Sequence, residues 1–425
     1  MSLRALLLAT PLFLSTLLFT PALASDWPAF RGPDRTGLSP DASPPLTWSP
    51  TQNIKWFVPL PMPGNSSPIV SGDRVFLNCA GDHNGAQRTL FCFNRADGRL
   101  LWAQTVQYPN KEPSHPRNPY CASTPAADGQ RVVVWHGSAG LHCYDYDGKE
   151  LWSRNLGTFR HIWGYAASPI FHGDSIILNC GPGERSFVVA VDGRTGEVLW
   201  KTEEPGGADN QSAETGTWIG SWSTPRIAKV DGGDQVLLAM ARHVNAYDPQ
   251  TGKILWTCGG TGDLAYTDIM LGDDAGKPIG VAMAGYGGAA IGFKIGGRGD
   301  VTATNRLWQS SGRNPQRIGT GVVVGHDLYI ANEPYIACMD MTTGEERWKH
   351  AEPGQTFWGS VVGAGDRLYV TSQKGTTFVF AADPKQYRPL AANALGEPSN
   401  STPALVGKQV FLRTAKGLYC SEESP

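Results

Sequence analysis

One phrase recurs along this chain and limits what it can become. Ala190–Trp200 reads AVDGRTGEVLW, Ala246–Trp256 reads AYDPQTGKILW, Cys338–Trp348 reads CMDMTTGEERW and Cys92–Trp102 reads CFNRADGRLLW. Cys143–Trp152, CYDYDGKELW, is one residue shorter. Each copy is a strand-like run, a polar turn ending in Gly, and a second strand that carries Trp. The Gly supplies the positive φ of a tight hairpin, and the Asp, Asn or Thr beside it satisfies turn backbone. The Trp leaves every hairpin with a large apolar surface that the next unit covers most simply. Repetition of such a unit is the mark of a repeat architecture.

The units can be counted. They begin at Ser66, Ala122, Ala167, Ser223, Ala265, Gly319 and Phe357, and an eighth begins at Asn400 and stops after its third strand at GLYC. The hairpin Trp recurs at Trp56, Trp102, Trp152, Trp200, Trp256, Trp308 and Trp348, about 49 residues apart, the length of a four-stranded propeller blade. These seven indoles are expected to be structural, wedged between units. The seventh unit has no Trp, and Leu390 is expected in its place.

Several units open on a short motif: SSP at Ser66–Pro68, STP at Ser123–Pro125, ASP at Ala167–Pro169, and STP at Ser223–Pro225 and Ser401–Pro403. Proline suits an edge strand, where its missing N–H breaks no ladder, and the innermost strand of a blade is such an edge. Asn53–Pro61 is a lone strand without partners, and the eighth unit lacks its fourth strand. Pairing the two closes the ring and removes the exposed sheet edges. An open solenoid would need polar capping units, which the sequence does not provide. The expected fold is all-β: an eight-bladed propeller over residues 53–425, closed by an N-terminal strand that completes the last blade.

Ahead of the ring, residues 1–24 read as a signal peptide, with Arg4, an apolar core over Ala5–Phe19 and a small-x-small site at Ala22-Leu23-Ala24. An uncleaved anchor is the competing reading. No other segment is apolar for the roughly 20 residues of a spanning helix, so a periplasmic or otherwise exported, monomeric ring with no membrane span after cleavage is expected. Residues 25–52, rich in Pro, Gly and Asp, form an irregular leader with Trp27, Phe30 and Trp48 as anchors. The net charge is −2, with no long basic tract, which argues against a nucleic-acid partner. Eight cysteines in an exported chain permit disulfides. However, Cys92, Cys143, Cys338 and Cys420 share one repeat position with Ala190 and Ala246, and equivalent positions on stacked sheets lie about 10 Å apart. They read as small buried residues, while a Cys79–Cys92 bridge within one hairpin stays open.

The Ala-x-Asp-x-x-Thr-Gly-x-x-x-Trp pattern of Ala190–Trp200 and Ala246–Trp256 resembles the pyrroloquinoline quinone (PQQ)-type propeller repeat, over nearly all of Asn53–Cys420. The leader DWPAFRGPDRTG and the run from His115 to Trp152 look like an exported bacterial branch of that family. The resemblance implies one of two roles. One is a non-catalytic propeller, similar to the lipoprotein of the outer-membrane β-barrel assembly machine; the other is a quinoprotein dehydrogenase using PQQ and calcium. This chain lacks the adjacent Cys-Cys pair of those dehydrogenases and the CxxCH haem signature of some. No GxSxG, HExxH, phosphate-loop or dinucleotide motif is present. Arg298-Gly299-Asp300 reads as turn chemistry. The expectation is a non-enzymatic binding or scaffold module of the cell envelope, with no cofactor, whose ligand is an envelope protein or a small molecule.

The expected binding face carries the long connections between blades. Their residues are His115, Arg117 and Asn118, then Arg160, His161 and Trp163, then Glu214, Trp218 and Trp222. Arg313 and Arg317 follow the fifth unit and Trp358 the sixth. Each group falls just before an innermost strand and should ring the channel mouth. Aromatics mixed with Arg at a concave mouth suit ligand recognition; packing between blade tops is the alternative use of the same indoles.

Overall fold

The structure is a computed structural model that describes residues 26–182, 185–204, 219–310 and 318–423. The signal segment 1–24 and the predicted site residues Glu214, Trp218, Arg313 and Arg317 lie outside the described residues. Eight four-stranded antiparallel sheets form the blades of a propeller. Blades 1 to 7 each use four strands in chain order, from Ile69–Ser71 in blade 1 to Pro389–Ala394 in blade 7. Blade 8 is composite: Ala404–Val406, Gln409–Arg413 and Gly417–Glu422, completed by Ile54–Pro59. Trp56 sits opposite Cys420 and Val58 opposite Leu418, as the ring-closure argument requires. The seam is also held by Arg413, whose Nη1 donates to the carbonyl of Asn78 in blade 1 at 2.9 Å.

The repeat Trp residues latch each blade to the next. Trp102 donates its indole N–H to the Tyr146 carbonyl, Trp152 to that of Gly193 and Trp200 to that of Pro249, at 2.9, 3.0 and 2.9 Å. Trp56, Trp308 and Trp348 do the same at 3.0, 2.9 and 2.9 Å. The receiving turn must bring its backbone onto the ring face. At Gly252, where φ is +69°, a Cβ would stand 2.4 Å from Trp200, so only glycine fits on both counts. Directly across the hairpin from each Trp stands a small residue: Cys92, Cys143, Ala190, Ala246, Gly292, Cys338 or Cys420. The indole takes the volume there, leaving room for a thiol or methyl at most. Cys79 lies opposite Thr89 and Cys92 opposite Phe76. The two are therefore about 10 Å apart along the strands, too far to bridge.

Two junctions depart from the pattern. Trp256 of blade 4 bonds within its own blade, to Gln235 Oε1 at 2.8 Å. Here blade 5 replaces the tight turn with a detour in which Gly299–Asp300 pairs in parallel with the Trp256 strand. Arg298-Gly299-Asp300 is thus part of this detour, and Asp300 accepts the Thr302 N–H at the start of one helical turn, Thr302–Asn305.

The second departure corrects an expectation from the sequence. Leu390 does not replace the missing Trp of blade 7. It occupies the bulge, as Leu101 and Leu199 do, while Ala391 holds the Trp position opposite Val379. The leader covers the gap instead. Trp48 is buried, stacks on Tyr369 with ring centroids 6.5 Å apart, and is fixed by its backbone N–H, which donates to Asn393 Oδ1 at 3.0 Å.

The rest of the leader crosses the channel. Trp27 exchanges both backbone bonds with Val70 of blade 1, and the Pro28 carbonyl accepts from Ala127 of blade 2. Arg35 reaches the Phe171 carbonyl of blade 3. Arg31 donates to the carbonyls of Thr320, Gly321 and Val361 in blades 6 and 7. Ser39 and Ser43 donate to Gly363 and Gly407 of blades 7 and 8. A segment without periodicity is ordered because it satisfies the inner edges that the blades leave unpaired.

Candidate functional site

The opening motifs converge on the axis. Ser67, Thr124, Ser168, Thr224, Asp268, Thr320, Ser360 and Thr402, one from each blade, form a closed ring. The backbone N–H of each donates to the side-chain oxygen of the next, at 2.9, 3.0, 3.1, 2.7, 3.0, 3.1, 2.9 and 2.9 Å in that order. Seven of the oxygens are hydroxyls and one is a carboxylate. Asp268 is buried, and that burial pushes its carboxyl up to about 6 against the pull of Arg31, the Thr224 N–H and Arg226. Blade 5 thus places a titrating group where its sisters place neutral ones.

Above the ring lies an open funnel, with Phe30 of the leader in its lining. Its walls are aromatic. Trp222, Tyr266 and Tyr286 form a chain with ring centroids 5.1 and 6.2 Å apart, and Trp163 and Trp358 also line the funnel, as do Asn65, Asn118 and Asn400. Trp222 is buried and anchored by its indole N–H on the Gly164 carbonyl at 3.0 Å. Trp163 stacks on His115 at 3.7 Å. Burial, with Arg117 nearby, lowers the pKa of that imidazole, which favours its neutral form. Tyr286 is 57% exposed at φ +44°, a conformation a bulky residue rarely adopts. Strain of this kind clusters at ligand clamps.

Of the predicted site residues, Asn118, Trp163, Trp222 and Trp358 line the funnel. His115 and His161 stand behind it: His161 packs edge-on against Trp222 at 5.0 Å, and burial lowers its pKa to about 4, so it is neutral. Asn118 works as a brace, donating to the Trp163 carbonyl at 2.7 Å and accepting from Asn65 at 2.9 Å. Arg117 and Arg160 do not line the funnel and are exposed; the carbonyl of Arg117 serves as the acceptor for Asn65 and Asn400. Sequence reasoning missed Phe30, Tyr266, Tyr286 and Asp268. Asp268 was detectable, because it falls where every sister unit carries Ser or Thr.

The family described as outer membrane protein assembly factor BamB matches residues 86–350 and 332–422. The chain belongs to this family. No curated protein matches it. Among solved structures, BamB from Moraxella catarrhalis is 14% identical, with 87% of this chain and 97% of that one covered and a TM-score of 0.60. A europium-containing methanol dehydrogenase is 12% identical, with 92% and 90% covered and a TM-score of 0.68. The quinohemoprotein alcohol dehydrogenase of Comamonas testosteroni is 12% identical, with 94% and 81% covered and a TM-score of 0.66. Identities this low establish the PQQ-type propeller fold alone. Among the described residues no helix is long and apolar enough to cross a membrane.

Proposed function

We propose that this chain is an exported, non-enzymatic binding module of the cell envelope that holds its ligand in the aromatic funnel. The ligand is a small molecule or a segment of an envelope protein that inserts a side chain. The observation that carries this reading is the funnel itself: a concave aromatic mouth, braced by His115, His161 and Asn118. Rigid aromatics around a recess provide contact area at low entropic cost on binding. The family description, an outer-membrane assembly factor, supports a protein partner.

The rival is a PQQ- and calcium-dependent dehydrogenase. Calcium takes about six to eight oxygen ligands. Among the described residues Asp268 is the only acid in the funnel lining, and the amide oxygens of Asn65, Asn118 and Asn400 each already accept a hydrogen bond within the protein. Those residues do not fit a quinone–calcium centre. Purified protein incubated with PQQ and Ca²⁺ should not reduce an electron-accepting dye with any of a panel of alcohols and sugars; sustained turnover would overturn the reading.

A further inference from the structure

Against the leader lies a second, smaller chamber built around arginines. Arg226 opens the innermost strand of blade 4, Arg226–Val230, and is only 4% exposed. Its Nε is buried without a partner, and no hydrogen bond or ion pair to a described residue serves the rest of the guanidinium. Arg31 and Arg35 line the same chamber, and each also has a buried Nε without a partner. The remaining wall is largely apolar, including Leu38, Met270 and Val323.

The charges do not balance. Three guanidinium groups face one buried carboxylate, Asp268, which already accepts the Thr224 N–H, and one exposed carboxylate, Asp34. Burial lowers the pKa of Arg226 to about 9 and of Arg31 to about 10, so both remain cationic at neutral pH. A buried, unpaired guanidinium is costly, and native structures rarely keep one without a counter-charge. We propose that this chamber is a binding site for a small inorganic anion, held by Arg226 with Arg35 and Arg31. The apolar wall strengthens the attraction by excluding water. The planar fork of Arg226 offers paired donors to an oxyanion or a converging pair to a halide. Arg35 and Thr36 are only half-buried, which gives the ion a route in from solvent. This site is independent of whatever the funnel binds.

The test uses the full mature chain in a buffer whose only anion is bulky and organic, at constant ionic strength. Chloride, phosphate and sulfate are titrated separately while the melting temperature is followed. At least one should raise it along a saturating curve, and the one that saturates at the lowest concentration identifies the natural occupant. Arg226→Met should weaken that anion about tenfold or more. It should also reverse the order of stability: the variant melts above wild type without the anion and below it at saturation. A residue that merely fills space would not produce that crossover. If Arg226→Met fails to fold, Arg35→Gln at the chamber entrance carries the test, with weakened saturation expected. Crystals soaked in bromide or selenate should show anomalous density beside Arg226. A linear response of equal slope in wild type and variants, saturation that both variants retain, or no anomalous peak in the chamber would each overturn the assignment.

Discussion

Between neighbouring blades an indole from one outer strand repeatedly meets a turn carbonyl of the next blade, so the belt of the molecule is built by copying. Along the axis the chain copies less faithfully. The inner ring has an eightfold hydrogen-bond pattern, yet blade 5 substitutes Asp268 for a hydroxyl, and the channel is crossed by a leader that resembles none of the repeats. The copied part spreads stability over many equivalent contacts. The uncopied part concentrates charge, strain and aromatic surface in one place, where recognition can be specific. Trp48 ties the two together, because a leader residue fills the one place where the belt lacks its Trp.

The comparison can be broken most severely at the belt. Trp200→Ala should destabilise the ring by about 3–5 kcal/mol in denaturant unfolding, and Trp48→Ala should fall in the same range if the leader truly stands in for blade 7. A Trp48→Ala variant as stable as wild type would detach the leader from the ring. On the axis, Asp268→Asn keeps an oxygen for the Thr224 N–H and removes the titrating charge. The folded pKa of Asp268, about 6, lies above its ordinary 3.8. Its ionised form is therefore disfavoured by folding, and wild type gains from this group as pH falls from about 6 to about 4. Relative to Asp268→Asn, wild type should be weaker at pH 7 by on the order of 2–3 kcal/mol, with the gap closing near pH 4. A pH-independent difference between the two would contradict the buried carboxylate. At the seam, the half-exposed Lys55–Glu422 pair at 2.8 Å should contribute little. Lys55→Ala is expected to cost about 0–1 kcal/mol, since the seam rests on the strand pairing; a larger loss would mean that closure depends on the ion pair.

How much of this was legible follows from what repeats. The Trp spacing, the small residues opposite, the lone Asn53–Pro61 strand and the truncated eighth unit led to the blade count and the closure. The opening motifs located the innermost strands through their prolines, while the residue before each proline carried the ring bonds and went unread. Leu390 was misassigned because counting back from the bulge requires the register, which one residue's slip conceals. The leader's path was not legible, because its contacts are to backbone carbonyls of distant blades, and backbone acceptors leave no residue-type signature. Arg226 likewise looks like any strand-opening arginine until the axis places it near Arg31 and Arg35.

The central claim is that recognition happens in the funnel. Site-specific photocrosslinking in cells tests it, with the crosslinking residue placed at Tyr286 on the mouth or at Leu199 on an outer strand, each more than half exposed. The account predicts a discrete adduct from position 286 that disappears with Trp163→Ala and Trp358→Ala, and none from position 199. Adducts from position 199 alone would place the binding surface on the belt and contradict it.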